Sequence, residues 1–209
     1  MLRSMSCPPD RPEREALDRA KVTLRLNARA ARRSVTPEVR TAASYAIAER
    51  LLRLPEILDA TAVAVYGPSP EEADPGVLES ALRDRGLRIA YPRVKDDRTL
   101  ELHWVDVPDV LTLGAFGLTE PTTEAPTAAL GDLSAIIVPA VALDPDGNRL
   151  GFGGGFYDVL LGGHDGHPPA IAIAYDEQLF DHVPHDERDH RVDIIVTPTR
   201  TLRCATTRS

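Results

Sequence analysis

The chain reads Ala135-Ile136-Ile137-Val138-Pro139 and, a few residues on, Asp146-Gly147-Asn148-Arg149-Leu150-Gly151-Phe152-Gly153-Gly154-Gly155-Phe156-Tyr157-Asp158-Val159-Leu160-Leu161. The first run is short, apolar and rich in β-branched residues, which predicts a buried strand. In the second, Gly151, Gly153, Gly154 and Gly155 leave backbone amides unshielded, so N–H groups can hold an anion where a Cβ would block it. Phe156 to Leu161 can then form a helix whose first turn holds the glycines. Strand, loop and helix start in that order form the arrangement by which α/β sheets bind phosphate at the carboxyl ends of their strands. Arg149 just before the glycines and Asp158 just after them suit a phosphate chain with magnesium, the guanidinium taking oxygens and the carboxylate the hard cation. A structural turn ahead of a helix has the same glycine pattern, and pattern alone does not separate the two readings. Two familiar nucleotide motifs are ruled out letter by letter. No lysine follows the glycines as a Walker loop needs, and Phe156 stands where a dinucleotide fingerprint begun at Gly151 needs glycine.

Outward from this centre the chain alternates helical and strand patterns without an internal repeat. From Pro12 to Arg33 the residues Leu17, Ala20, Leu24, Ala28 and Ala31 recur at helical spacing and predict an amphipathic helix. Lys21, Arg25, Arg29 and Arg32 line a neighbouring face. Such a row is either a solvated flank with snorkelling stems or, in an acidic chain, a cationic strip that closes over ligand phosphates. Thr36 and Pro37 start a second helix carrying Val39, Ala43, Ile47, Leu51 and Leu54 on one face. Ala62 to Tyr66 is a strand stopped by Gly67-Pro68; an acidic loop, Glu71-Glu72-Ala73-Asp74, leads through Pro75 to a helix ending near Gly86. Leu87 to Tyr91, closed by Pro92, and Leu100 to Val105 are further strands, and Pro108 to Leu130 is expected to be irregular. Ala170 to Ala174 and Asp193 to Val196 complete the set. The order implies parallel βαβ units with right-handed crossovers. The expected fold is therefore α/β, a single domain with a mostly parallel layered sheet flanked by helices and an N-terminal helical arm. Its expected limits are a disordered tail over 1–10, the domain over 11–200 and a C-terminal tail over 201–209.

Composition bounds the function. Hydrophobic residues make up 43% of the 209 but aromatics only 5%, so the core is built mainly of Ala, Val, Leu and Ile. A net charge of -8 argues against a general binder of nucleic acid or anionic membrane, and any basic site must be local. Cys7 and Cys204 lie in polar terminal segments and do not make a disulfide framework. No apolar run reaches the length of a membrane span, and Met1 to Asp10 lacks the apolar stretch of a secretory signal. A monomeric cytoplasmic protein with small-molecule partners is expected. His182, His185 and His190 fit no structural zinc spacing, and no Gly-x-Ser-x-Gly elbow is present. Glu71, Glu72 and Asp74 could do acid/base work, although helix-capping charge ahead of Pro75 explains at least Asp74 more simply.

Gly147-Asn148-Arg149-Leu150-Gly151 leading into Gly155-Phe156-Tyr157-Asp158 resembles the signature of the 5-formyltetrahydrofolate cyclo-ligase family. The likeness extends over most of the chain. It includes Lys21-Val22-Thr23-Leu24-Arg25, Glu72, Tyr91-Pro92-Arg93-Val94, Phe116-Gly117-Leu118-Thr119-Glu120-Pro121 and Asp189-His190-Arg191-Val192-Asp193. The resemblance implies an enzyme that uses ATP and magnesium to close 5-formyltetrahydrofolate into 5,10-methenyltetrahydrofolate, with ADP and phosphate released. By that likeness Lys21, Arg149 and Asp158 are the catalytic residues. Lys21, Arg25, Arg149, Gly151, Gly153, Gly154, Gly155, Phe156 and Tyr157 would hold ATP; Arg25, Glu72, Phe116, Phe152 and Tyr157 would hold the folate; Asp158 and Asp189 would hold Mg2+. Where the family usually shows Gly-Tyr-Tyr-Asp-Arg this chain has Phe156 and Val159, which removes a hydroxyl and a positive charge and implies weaker nucleotide binding. Two other classes remain open: a nucleotide- or folate-binding paralogue without catalysis, and a small-molecule kinase that leaves phosphate on its product.

Overall fold

The computed structural model of the protein describes residues 11–95, 99–107, 111–114, 117–162 and 167–204. Helix α1 spans Arg11–Ser34 and α2 spans Pro37–Leu51, entered as expected from Thr36, whose hydroxyl accepts the Val39 amide. A single turn, α3 (Pro55–Leu58), leads into β1 (Ala62–Ala64). Next come α4 (Gly76–Asp84), β2 (Arg88–Val94) and β3 (Leu100–Trp104), followed by β4 (Leu111–Leu113), β5 (Thr119–Pro121) and β6 (Thr127–Ala128). Strand β7 is Ala135–Pro139, and a small hairpin pairs β8 (Ala142–Leu143) with β9 (Arg149–Leu150). Helix α5 (Phe156–Gly162), β10 (Ala170–Ile173), β11 (Ile194–Val196) and β12 (Thr201–Arg203) finish the chain.

Eight strands form one sheet in the order β12-β11-β10-β7-β1-β2-β3-β6, with the five from β11 to β2 parallel and the outer ones antiparallel. Because side chains alternate along a strand, each strand feeds two cores. Val63, Val65, Ile137, Ile171 and Ile173 pack with Ile47, Leu51, Leu78 and Leu82 of α2 and α4. On the opposite face Ala62, Ala64, Val138, Ala170 and Ala172 pack with Leu160 and Leu161 of α5. Truncating a fully buried residue such as Leu51 to Ala would cost roughly 2–5 kcal/mol. Helix α1 lies apart from both cores and docks through Leu24 and Ala28 onto Val141, Ala142 and Leu150 of the β8–β9 hairpin.

Several expectations are corrected by this architecture. Strand β2 does not end at Pro92 but continues to Val94. The Val65 amide donates to Ala90 while the Val105 amide donates to Ile89, so even-numbered residues of β2 face β1. Strand β1 has already stopped at that level, and the missing N–H of Pro92 falls where no partner strand needs it. The stretch Pro108 to Leu130 is not irregular throughout: β4 and β5 make an antiparallel pair, and β6 joins the main sheet beside β3. Thr201–Arg203 is not a tail but an edge strand on β11, and it carries Cys204 into the core. Burial pushes the Cys204 thiol up to about 11, away from reactive thiolate chemistry. Among the described residues no helix is long and apolar enough to cross a membrane.

Candidate active site

A cavity of about 1010 Å³ opens over the carboxyl ends of β1, β2 and β7, the position at which open α/β sheets receive ligands. That volume lies at the upper end of the range for small-molecule sites, roughly 300–1,000 Å³. It is bounded by α1, the loop after β1, strand β5, and the glycine segment between β9 and α5. Lys21, Arg25, Glu72, Arg149, Tyr157, Asp158 and Asp189 line it together with residues 151–156, although they come from four separate stretches of the chain. Phe116 lies outside the described residues.

The glycines do not sit in the first turn of α5. All of them precede it, and the helix is only seven residues long; the glycines line the cavity together with the first residues of α5, Phe156 to Val159. Gly153 has φ of 110° and Gly155 of 70°, conformations that L side chains rarely adopt. A Cβ on Gly153 would also stand 3.6 Å from the Arg25 guanidinium carbon. That is ordinary contact, so the positive φ and not space is what calls for glycine; Arg25 Nε donates to the carbonyl of Gly151 at 2.9 Å, which ties α1 to the loop. Burial, helped by the neighbouring Arg29, lowers the Arg25 pKa.

The basic row on α1 is not a solvated flank. Lys21 is 8% exposed and Arg32 is 3% exposed, both deeper than Leu17 or Ala20 on the apolar stripe. Lys21 Nζ meets Asp189 Oδ2 at 2.5 Å. Arg29 and Arg32 lie over the Phe152 ring, 5.2 and 5.4 Å from its centroid, while Arg32 also pairs with Glu71 at 3.4 Å and Glu72 at 3.6 Å. On the other side of the cavity Arg149 Nη2 meets Asp158 Oδ1 at 2.8 Å, an oxygen that also accepts the His190 amide at 3.1 Å. The Arg149 guanidinium lies 5.6 Å from the centroid of the Tyr157 ring, whose phenol is pushed well up by burial.

Glu72 is set differently. Its Oε2 accepts the Ser69 amide at 2.8 Å, and its Oε1 makes no hydrogen bond among the described residues. Burial raises its pKa. Asp74 accepts the Gly76 amide at 2.8 Å, the capping role its place before α4 suggested.

A model of the 5-formyltetrahydrofolate cyclo-ligase family matches residues 18–198, which takes in the Lys21 row, the Glu72 loop, the glycine segment and Asp189. The chain belongs to that family. It is 33% identical over 187 residues to the 5-formyltetrahydrofolate cyclo-ligase of Mycolicibacterium smegmatis, covering 87% of this chain and 95% of that one. With the Escherichia coli enzyme of the same name it shares 30% over 173 residues, 81% and 95% of the two chains. The solved Aquifex aeolicus 5,10-methenyltetrahydrofolate synthetase superposes with a TM-score of 0.78 at 33% identity over 90% of this chain and 95% of that one. Membership makes the chain an ATP-dependent carbon–nitrogen ligase of folate one-carbon metabolism, on a mostly parallel α/β scaffold.

Cyclo-ligase sequence motifs led to most of this cavity, but the residues that hold it in shape were not singled out. The Tyr66 and Tyr175 hydroxyls donate to the carbonyls of Ala73 (2.5 Å) and Glu72 (2.9 Å), pinning the acidic loop from beneath. Asp144, 1% exposed, accepts the amides of Asp146, Asn148 and Val183 and the Asn148 side chain. It thereby fixes the hairpin that carries Arg149. A buried tyrosine at the end of a strand and an aspartate two residues before Asp146-Gly147 were the available signals.

Proposed function

We propose that this cavity binds ATP along α1 and the glycine loop and the reduced folate beside Glu72, and that it carries out the family's ring closure between them. The observation that carries the reading is the convergence, in one cavity, of Lys21, Arg25 and Arg149 with the bare amides of residues 151–155 and with the unbonded Glu72 oxygen. The first group suits a triphosphate, the second the N–H groups of a pterin.

A formyl oxygen is a poor leaving group. Transfer of the γ-phosphoryl group to it, with ADP leaving, turns it into a good one. N10 of the same folate then forms a bond to the formyl carbon, the carbon–oxygen bond breaks, phosphate departs, and N10 gives up its proton. Phosphoryl transfer depends chiefly on alignment and charge neutralisation, so cations and amides rather than a covalent catalyst are what the site must supply. Lys21, Arg149 and Arg25 supply the charge, and the Phe152 and Tyr157 rings supply flat walls for the ligands.

Asp158 and Asp189 fit a magnesium ion. Among the described residues each uses a single oxygen in its hydrogen bonds, Oδ1 in Asp158 and Oδ2 in Asp189, which leaves the other for a hard cation that takes its remaining ligands from phosphate and water. Bound there, the ion would neutralise charge on the phosphoryl oxygens.

The test mixes the purified chain with ATP, magnesium and 5-formyltetrahydrofolate and follows the near-UV absorbance of the methenyl product. Signal that needs all three components, with one phosphate freed per product, is expected. Phosphate retained on the product would favour a kinase, and binding of both ligands without ADP release would favour a non-catalytic paralogue.

A further inference from the structure

Strand β5 contributes a buried carboxylate to the cavity that no step above uses. Glu120 is 4% exposed and lines the same cavity as Glu72, yet its Oε1 is buried without a hydrogen bond among the described residues. Buried polar atoms are almost always bonded, because stripping a carboxylate oxygen of water without replacement is unfavourable. The backbone makes room for this group. A Cβ on Gly114 would occupy the space of the Glu120 carboxylate, so the glycine leaves that carboxylate its present place. The wall is placed beside the acidic loop, since the Thr119 carbonyl comes within 2.5 Å of where a Cβ on Gly67 would stand. Ser69 Oγ, two residues from Gly67, is likewise buried and unbonded.

Glu72 is already partly engaged, by the Ser69 amide and by Arg32. One of its oxygens is taken by the Ser69 amide, while a reduced pteridine carries N–H donors on more than one edge: the 2-amino group, N3 and N8. We infer that Glu120 is a second substrate-binding carboxylate, which accepts an N–H of the reduced pteridine that Glu72 does not reach. The inference rests on the folate reading of the cavity. It gives the folate wall two carboxylates and a hydroxyl, an acceptor-rich surface that favours donor-rich heterocycles.

The test compares steady-state kinetics of the wild-type chain and Glu120→Gln with 5-formyltetrahydrofolate and ATP varied in turn. Loss of a charge-assisted bond is expected to raise KM for the folate roughly 10- to 100-fold. KM for ATP and kcat should stay within about threefold, as for a group that binds substrate and transition state alike. Glu120→Asp keeps the charge but withdraws it by a methylene, and it should raise the folate KM in the same direction if the glutamine variant does not fold. An unchanged folate KM, an equal rise in both KM values, or a fall in kcat alone would each overturn the assignment. The two levels separate cleanly. A wild-type chain that forms no methenyl product sinks the reading of the reaction, whereas an active wild type matched by Glu120→Gln sinks only the role of Glu120.

Discussion

Along the wall built from α1 and the glycine loop, charges come in close opposite pairs, Lys21 with Asp189 and Arg149 with Asp158; along the wall built from the β1 loop and β5, Oε1 of Glu72 and Oε1 of Glu120 make no hydrogen bond among the described residues, and Arg32 approaches Glu72 only to 3.6 Å. The difference teaches how each ligand must enter. On the first wall an anion that captures Lys21 or Arg149 would strand a partly buried carboxylate, an unfavourable outcome unless a cation arrives with it. A triphosphate accompanied by its metal satisfies both members of each pair at once. On the second wall no hydrogen bond to these two oxygens has to be displaced, and a ligand rich in N–H groups adds bonds there.

Substitutions can break this contrast, and the largest effect is expected at Asp158. Asp158→Asn keeps the volume but removes the charge facing both Arg149 and the proposed metal, and initial rates of methenyl formation should fall roughly 100- to 1,000-fold. Undiminished turnover would refute the metal assignment. Lys21→Met should raise KM for ATP about tenfold while leaving KM for the folate near its wild-type value, since it removes one charged phosphate contact. Equal changes in both constants would mean that the two walls are not separate.

Glu72 gives a pH-dependent test. Burial raises its pKa, so the folded chain keeps the proton above the ordinary value of 4.5 at which the unfolded chain releases it. Wild-type stability therefore declines as pH rises through and above that value, and Glu72→Gln lacks this decline. The melting temperature of the wild type relative to the variant should fall as the pH is raised through and above 4.5. A difference that grows with pH would show that Arg32 and the Ser69 amide outweigh burial. Asp186 has the opposite sign. Its hydrogen bonds to Arg188 hold it at about 2, so the pair contributes stability above the ordinary value of 3.8 that is lost as pH falls toward about 2. Arg188 is largely exposed, and Arg188→Gln should lower stability by no more than about 1 kcal/mol near neutrality, an offset that shrinks in acid on denaturant titration.

The smallest effect sharpens the contrast by adding to the first wall. Val159 is 54% exposed at the rim, at the position where the resemblance drawn from the sequence implies arginine. Val159→Arg should lower KM for ATP by about two- to fivefold, in keeping with a solvent-screened contact, and leave the folate KM unmoved.

The sequence by itself determined the parts of this protein that are local. Strand β7, the glycine run, Thr36 as a cap, the length of α1 and the acidic loop all follow from periodicity, capping and glycine placement over a few residues, and the motifs that carry the family likeness are contiguous. What only the tertiary structure decided is pairing across distance. The solvated or ligand-facing character of the α1 cations depended on Asp189 and Gly151 lying beneath them, which no spacing within the helix encodes. The strands β4, β5, β6 and β12 are two or three residues long and gain their ladders from neighbours rather than from propensity, so they read as loop. Glu120 stood in a recognisable motif, but its importance lies in a missing bond inside a shared cavity, a property that exists only once the chain has closed around it.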